Sequence, residues 1–331
     1  MVYPMKISRL REKKELLDSY RPLPAVLVKN LEDWFRVELT YTSNAIEGNT
    51  LTRRETALVV EKGLTVGGKT LVEHLEATNH AHALDWVRQQ ASRSARKLTE
   101  KDVLSIHEII LKGIDSPNAG FYRSVPVRIS GSTVVLPNPR KVPDLMEAFV
   151  TWLQQGPDLH PVELAAEAHY RLVTIHPFAD GNGRTARLLM NLILLMTGYP
   201  TAIIRKLDRE AYLAALEKAQ LGGSQDDYLQ LIYKAVNRSL DIYLRAARGE
   251  DAEGEVDDTL LKIGELAKRT GENNSTIRYW TKEGLLEVAE VTESGYQLYS
   301  PEMIKRVEQI YFLKKERLTL QEIKERISQT E

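Results

Sequence analysis

His176-Pro177-Phe178-Ala179-Asp180-Gly181-Asn182-Gly183-Arg184-Thr185-Ala186-Arg187 joins two unlike stretches of the chain. Ahead of it, residues 163–175 place apolar side chains at helical intervals. Behind it, Leu188, Leu189, Met190, Leu192, Ile193, Leu194 and Leu195 leave almost no polar face. Residues 187–196 therefore predict a helix buried at the centre of the fold, ended by Gly198 and Pro200. The loop between them is polar. Glycines just before a helix let backbone N–H groups converge, and the helix N-terminus adds partial positive charge, a combination suited to phosphate. Arg184 and Arg187 stand on adjacent turns of one face, where guanidinium forks can grip phosphate oxygens. Asp180 beside a polyphosphate suits Mg2+, which takes one or two carboxylates and otherwise phosphate oxygens. His176 has an ordinary pKa suited to proton transfer near neutrality. Each feature alone has a plain reading as a turn, a cap or a structural histidine. Two arginines in the first turns of a helix oppose its dipole, however, and make better sense with an anion present.

Most of the flanking chain carries the same helical signal. Leu31, Trp34, Phe35 and Leu39 line one face, and Leu104, Ile106, Ile109, Ile110 and Leu111 follow a start at Thr99 with Asp102 three residues on. Pro143 opens a helix carrying Leu145, Met146, Phe149, Trp152 and Leu153, which stops at Gly156-Pro157. Residues 213–220 and 228–245 complete a bundle, so the fold class is mainly α. One region breaks the pattern. Val125-Pro126-Val127-Arg128-Ile129 and Thr133-Val134-Val135-Leu136 flank Ser130-Gly131-Ser132, which predicts a hairpin. A lone hairpin is marginal in water and leaves its edges open. It either packs down or offers another chain a place to add a strand.

Lys and Arg number 45 against 46 Asp and Glu, so no overall basic excess advertises nucleic acid or an anionic membrane. There is no cysteine, which excludes disulfides, thiolate nucleophiles and Cys-ligated zinc. No apolar run reaches the ~20 residues of a membrane helix. Residues 1–18 mix Lys, Arg and Glu with scattered Leu, unlike a secretory signal, and a cytoplasmic protein without membrane contact is expected. Residues 249–258 are acidic, punctuated by glycine and nearly without apolar side chains. They predict a linker between a first domain, 1–248, and a second, 259–331. His107, His160 and His169 lie on helical segments or their ends with no second ligand at metal spacing. His74, His80 and His82, with Glu73 and Glu76, read as a polar helix face.

The stretch from His176 to Arg187 matches the pattern HxFx[D/E]GNGRxxR at every specified position. Through it the chain resembles Fic-domain proteins, and the resemblance extends to Gly120-Phe121-Tyr122-Arg123, the hairpin and the helices on either side. It implies a helical bundle with a β-hairpin flap over the active site. The implied activity is transfer of AMP from ATP onto a protein hydroxyl. By the same resemblance His176 is the general base toward a Ser, Thr or Tyr hydroxyl, and Asp180 holds Mg2+ between the α- and β-phosphates. Gly181, Asn182 and Gly183 form the anion hole, Arg184 contacts the phosphate chain, Arg187 binds the γ-phosphate, and Phe178 anchors the loop. The flap, with Val127, Arg128, Ile129, Val134 and Val135, would dock a target protein as an added strand.

Upstream, Ser43 and Glu47 are four apart and share a helix face, with Gly48 suited to end that helix. A glutamate near a helix C-terminus opposes the dipole and wants a cationic partner. Thr42-Ser43-Asn44-Ala45-Ile46-Glu47-Gly48 resembles the inhibitory pattern [S/T]xxxE[G/N] found ahead of many Fic cores. That resemblance implies that Glu47 pairs with Arg187 and blocks productive γ-phosphate binding. Some relatives use the same glutamate to remove AMP from a target.

Residues 259–331 read as helix, Gly turn, second helix, small hairpin (288–291 and 296–299) and helices from Pro301 and Leu320, a winged helix-turn-helix in outline. Ile263-Gly264-Glu265-Leu266-Ala267, Thr276-Ile277-Arg278-Tyr279 and Gly295-Tyr296-Gln297-Leu298-Tyr299 resemble the MerR-type DNA-binding domain. Gln297 replaces the arginine usual in that wing. Thr276, Arg278 and Lys282 are the candidate DNA contacts, although the module holds as many acidic as basic residues. The expectation is a self-inhibited adenylyltransferase using ATP and Mg2+, with a target protein, DNA and a second copy of the chain as candidate partners. The alternatives are a DNA-binding regulator whose Fic core senses nucleotide, or a Fic enzyme acting mainly to remove AMP from its target.

Overall fold

The computed structural model describes residues 2–250, 260–288, 290–291, 296–315 and 318–330. It divides into two compact units, Met1–Ala252 and Glu253–Glu331. Most of the expected linker, 251–258, lies outside the described residues.

The first unit runs α1 (Val2–Ser19), α2 (Ala25–Ile46), α3 (Arg53–Lys62), α4 (Leu71–Gln90), α5 (Glu100–Leu111), α6 (Val142–Gln155), α7 (Pro161–Ile175), α8 (Asn182–Met196), α9 (Arg209–Gln220) and α10 (Asp226–Ala247). Helix α8 is the hub. Its Leu188, Leu189, Met190, Leu192, Ile193 and Leu194 are all buried, and α2, α4, α5 and α7 pack around it. An apolar surface on every side of a helix is stable only where protein covers every side. Side chains fix the helix starts. Glu55 accepts from the Thr52 N–H at 2.7 Å, Glu73 from Thr70 at 2.8 Å and Asp102 from Thr99 at 2.7 Å. Helix α1 lies along α10, burying Leu10 and Leu17 and setting Lys13 Nζ 2.6 Å from Asp241.

The expected hairpin is present as a turn between two arms, and no strand ladder forms. Its backbone closure is Ser132 N–H to Ile129 O at 3.2 Å, with Gly131 at φ 77°. Pro126 has no N–H to donate, and two short arms alone do not sustain a ladder in water. Side chains shape the flap instead. Arg123 donates to the carbonyls of Val125 (3.3 Å) and Pro137 (2.6 Å), one in each arm. Glu217 on α9 accepts from Ser132 Oγ at 2.8 Å and Thr133 N at 2.9 Å.

The second unit holds β1 (Leu261–Lys262), α11 (Ile263–Thr270), α12 (Asn274–Lys282), β2 (Glu290–Val291), β3 (Gln297–Tyr299), α13 (Glu302–Lys315) and α14 (Leu320–Thr330). The expected hairpin pairs β2 with β3, and β1 adds to the other edge of β3 through Leu261–Tyr299 and Lys262–Leu298. Leu261, Leu266, Ile277, Trp280, Tyr299, Val307, Ile310 and Ile323 make its core. No described helix is long and apolar enough to cross a membrane.

Candidate active site

Helix α7 ends on His176, whose φ of 51° places a non-glycine residue in the left-handed region. The turn redirects the chain into the loop 177–181. Arg123 then fastens it, donating from Nε to His176 O at 2.7 Å and from its backbone to Pro177 O at 2.9 Å. Phe178 is fully buried and stacks on His107, with ring centroids 3.6 Å apart. The tautomer of His107 follows from its partners. Asp180 O can only accept, so Nε2–H donates to it at 3.0 Å, and Nδ1 takes the Gly120 N–H at 2.9 Å. Burial lowers the His107 pKa to about 4, which keeps that neutral form. Asn182 closes the loop with a reciprocal pair to the backbone of Phe178, both bonds 3.0 Å. Its amide oxygen and one amide hydrogen are committed there, holding the loop in place. Helix α8 starts at Asn182, so its first N–H groups lack intrahelical acceptors.

A carboxylate lies against that turn. A Cβ placed on Gly183 would stand 2.3 Å from Glu47 Oε1 and 3.1 Å from Arg187 Nη1. Glu47 caps the C-terminus of α2, and its Oε1 receives Arg187 Nη2 at 2.6 Å. Arg187 also donates to Ser43 Oγ and Ser43 O, each at 3.0 Å. Burial alone would raise the Glu47 pKa. The charges of Arg187, Arg184 and Arg209 outweigh that and hold it below 4.5. Negative charge thus sits where the glycines and the helix start favour an anion.

His176 faces the same loop with Nδ1 3.3 Å from Val173 O. Donation of Nδ1–H to that carbonyl leaves Nε2 with its lone pair. Burial lowers the pKa below 6.5, so the imidazole is neutral at pH 7. Arg184 and Asp180 differ from their expected settings. Arg184 is buried and turned onto two carboxylates, Glu76 at 2.8 Å and Asp180 at 3.2 Å, while its Nε has no partner. Asp180 is largely exposed (68%).

Two sequence expectations need correction. His80 does not lie on a polar helix face: it is buried beside Thr40 Oγ1 at 3.2 Å, with its pKa lowered to about 3 by burial. Glu76, assigned to that same face, turns inward to Arg184 and Asn49. Its spacing matches α4 alone, and nothing in the sequence pairs it with a residue so distant. In the flap, Val127, Ile129 and Val134 are half-buried, while Arg128 is exposed and Val135 almost fully so. In the second unit Arg278 and Lys282 are exposed. The Thr276 hydroxyl already donates to Asn273 Oδ1 at 3.1 Å, the oxygen that caps α12 by accepting the Thr276 N–H at 2.8 Å.

The model of the Fic/DOC family matches residues 97–194. A Fic domain containing signaling protein from Bacteroides thetaiotaomicron superposes with a TM-score of 0.67 at 34% identity, covering 75% of this chain and 100% of that one. This chain belongs to the Fic family. Fic-1 from C. elegans also superposes with a TM-score of 0.67, at 31% identity over 75% of this chain and 74% of that chain. The protein adenylyltransferase Fic of Nematostella vectensis is 38% identical over 240 residues, which are 72% of this Fic chain and 55% of that protein. That of Culex quinquefasciatus is 37% identical over 243 residues, 73% and 48% respectively. The chain thus spans about half the length of the curated relatives it matches. The model of the MerR HTH family regulatory proteins matches residues 261–330.

Proposed function

We propose that this Fic protein transfers AMP from ATP onto a side-chain hydroxyl of a target protein and restrains itself through Glu47. One observation carries the reading: the Glu47 carboxylate fills the anion site at Gly183 and binds Arg187 at 2.6 Å, with a neutral imidazole beside the same loop. In the proposed reaction the hydroxyl oxygen attacks the α-phosphorus. The bond from that phosphorus to the bridging oxygen breaks, and pyrophosphate leaves. The hydroxyl proton passes to His176 Nε2. The N–H groups at the start of α8 and the Arg187 guanidinium face the developing negative charge. Gly183 keeps that approach clear of a side chain, whereas Gly181 serves the turn, at φ 74° with Ile110 and His107 against the place of a Cβ. An exposed Asp180 at this loop fits Mg2+ held mainly by phosphate oxygens and water. The ion, when bound, would neutralise phosphate charge. Arg184 would have to leave Asp180 to reach the phosphate chain.

The flap supports a docking role for the target. No strand ladder ties its arms to each other, which suits addition of a strand from another chain. Glu47→Gly is expected to raise transfer of labelled AMP, to the protein itself or to a lysate protein, by about tenfold or more. Equal labelling by both forms, with ATP binding intact, would overturn the reading. A second reading is supported by the helix-turn-helix family match and by the exposed Arg278, Tyr279 and Lys282 on α12. In it the chain is a DNA-binding regulator that senses nucleotide. His176→Ala separates the two, since it abolishes transfer and leaves nucleotide and DNA binding.

A further inference from the structure

Three side chains untouched by the proposed reaction form a buried line behind Arg187. Tyr212 on α9, His169 on α7 and Tyr228 on α10 are each 1% exposed or less. Tyr212 Oη lies 2.8 Å from His169 Nε2, and Tyr228 Oη lies 2.8 Å from His169 Nδ1 and 2.9 Å from Ala166 O. On its other side the Tyr212 hydroxyl faces the Arg187 guanidinium.

The partners fix where every hydrogen goes. A carbonyl only accepts, so Tyr228 donates its single hydrogen to Ala166 O and accepts from His169 Nδ1–H. A neutral imidazole carries one N–H, so Nε2 is left as an acceptor, and Tyr212 donates to it. Burial, reinforced by the charge of Arg187, holds His169 neutral with a pKa of about 3. The Tyr212 hydrogen is therefore committed to His169, and its lone pairs are left to the cationic guanidinium. A protonated imidazole would donate at both nitrogens and turn the Tyr212 hydrogen toward Arg187.

Arg187 now has two classes of partner. Glu47 must withdraw before a triphosphate can occupy the anion site, whereas Ser43 and Tyr212 can stay. We propose that Tyr212 is a positioning residue for a nucleoside triphosphate: its hydroxyl, turned by His169, keeps Arg187 aimed at the γ-phosphate once Glu47 has left. The proposal rests on the AMP-transfer reading and adds to it the device that stops the freed guanidinium from swinging away.

The test uses the 331-residue chain carrying Glu47→Gly and measures ATP and ADP affinity by calorimetry, together with KM and kcat for AMP transfer. Tyr212→Phe removes one oxygen and is expected to weaken ATP about tenfold while leaving ADP within about twofold. KM for ATP should rise more than kcat falls. His169→Leu should act in the same direction, and His169→Gln, which offers an acceptor near the position of Nε2, should restore most of the loss. Should the histidine variants fail to fold, Tyr212→Phe decides alone. Equal weakening of ATP and ADP, or weakening of neither, overturns the role of Tyr212. If the Glu47→Gly chain itself transfers no AMP and does not prefer ATP to ADP, the parent reading fails and this one falls with it. If that chain does both and Tyr212→Phe leaves the ATP-to-ADP ratio unchanged, only the positioning role fails.

Discussion

His176 carries two constraints at one residue: a left-handed backbone that favours glycine and an imidazole that a proton acceptor requires. Its depressed pKa makes a pH prediction. The group is neutral when deprotonated, and a folded value below 6.5 keeps it so further into acid. In the Glu47→Gly chain the acid limb of the rate of AMP transfer should therefore have its midpoint below pH 6.5. A midpoint at or above 6.5 would contradict the assigned proton acceptor. Phe178 tests the packing beneath it. Phe178→Ala removes a fully buried ring stacked on His107 and is expected to cost about 3–5 kcal/mol in denaturant unfolding. At this scale the sequence was legible where the site is contiguous. His176 to Arg187 stand together because a turn and a helix start are built from neighbours. Glu47 was legible because Ser43 and Gly48 mark its helix end. Arg123 stood only within a family-like stretch, and Glu76, His169 and Tyr212 carried no functional signal. Their contacts come from helices that meet only after folding, and a lone polar residue on an amphipathic segment looks the same whether it faces water or a guanidinium.

The flap is the element whose sequence and structure diverge most. β-branched residues around a Gly turn gave the right turn, yet no ladder forms between the arms. The arms are held from outside, by Arg123 at their base and Glu217 at their tip. Arg123→Ala is expected to raise amide hydrogen exchange across 124–138 and to lower transfer to a protein target, with ATP affinity retained. Unchanged exchange would show that the arms are held by other contacts. Helices with strong periodicity were legible, α5, α6 and α8 above all. Helix α1 was not, because Leu10 and Leu17 sit among charged residues and pack on a helix more than 200 residues away. Strand β1 was missed for a different reason: two residues are too few for any pattern, and only pairing with β3 defines it.

The whole molecule comprises two units, each with its own core. We expect fragments 1–250 and 259–331 to unfold cooperatively on their own, as calorimetry of each would show; a second fragment without a transition would mean that its core depends on the first. Acidic and basic residues are balanced across 259–331, so any DNA binding must come from local placement of Arg278, Lys282 and Lys268, and its affinity should fall only shallowly with salt. The first unit concentrates its function around very few fasteners. The guanidinium of Arg123 grips a carbonyl from each arm of the flap and the carbonyl of His176. Under the proposed reading, the surface that receives a target and the imidazole that receives its proton hang from one bolt. A partner that tugs on the arms would then pull directly on the base, so choice of target and readiness for chemistry are geared together rather than tuned apart.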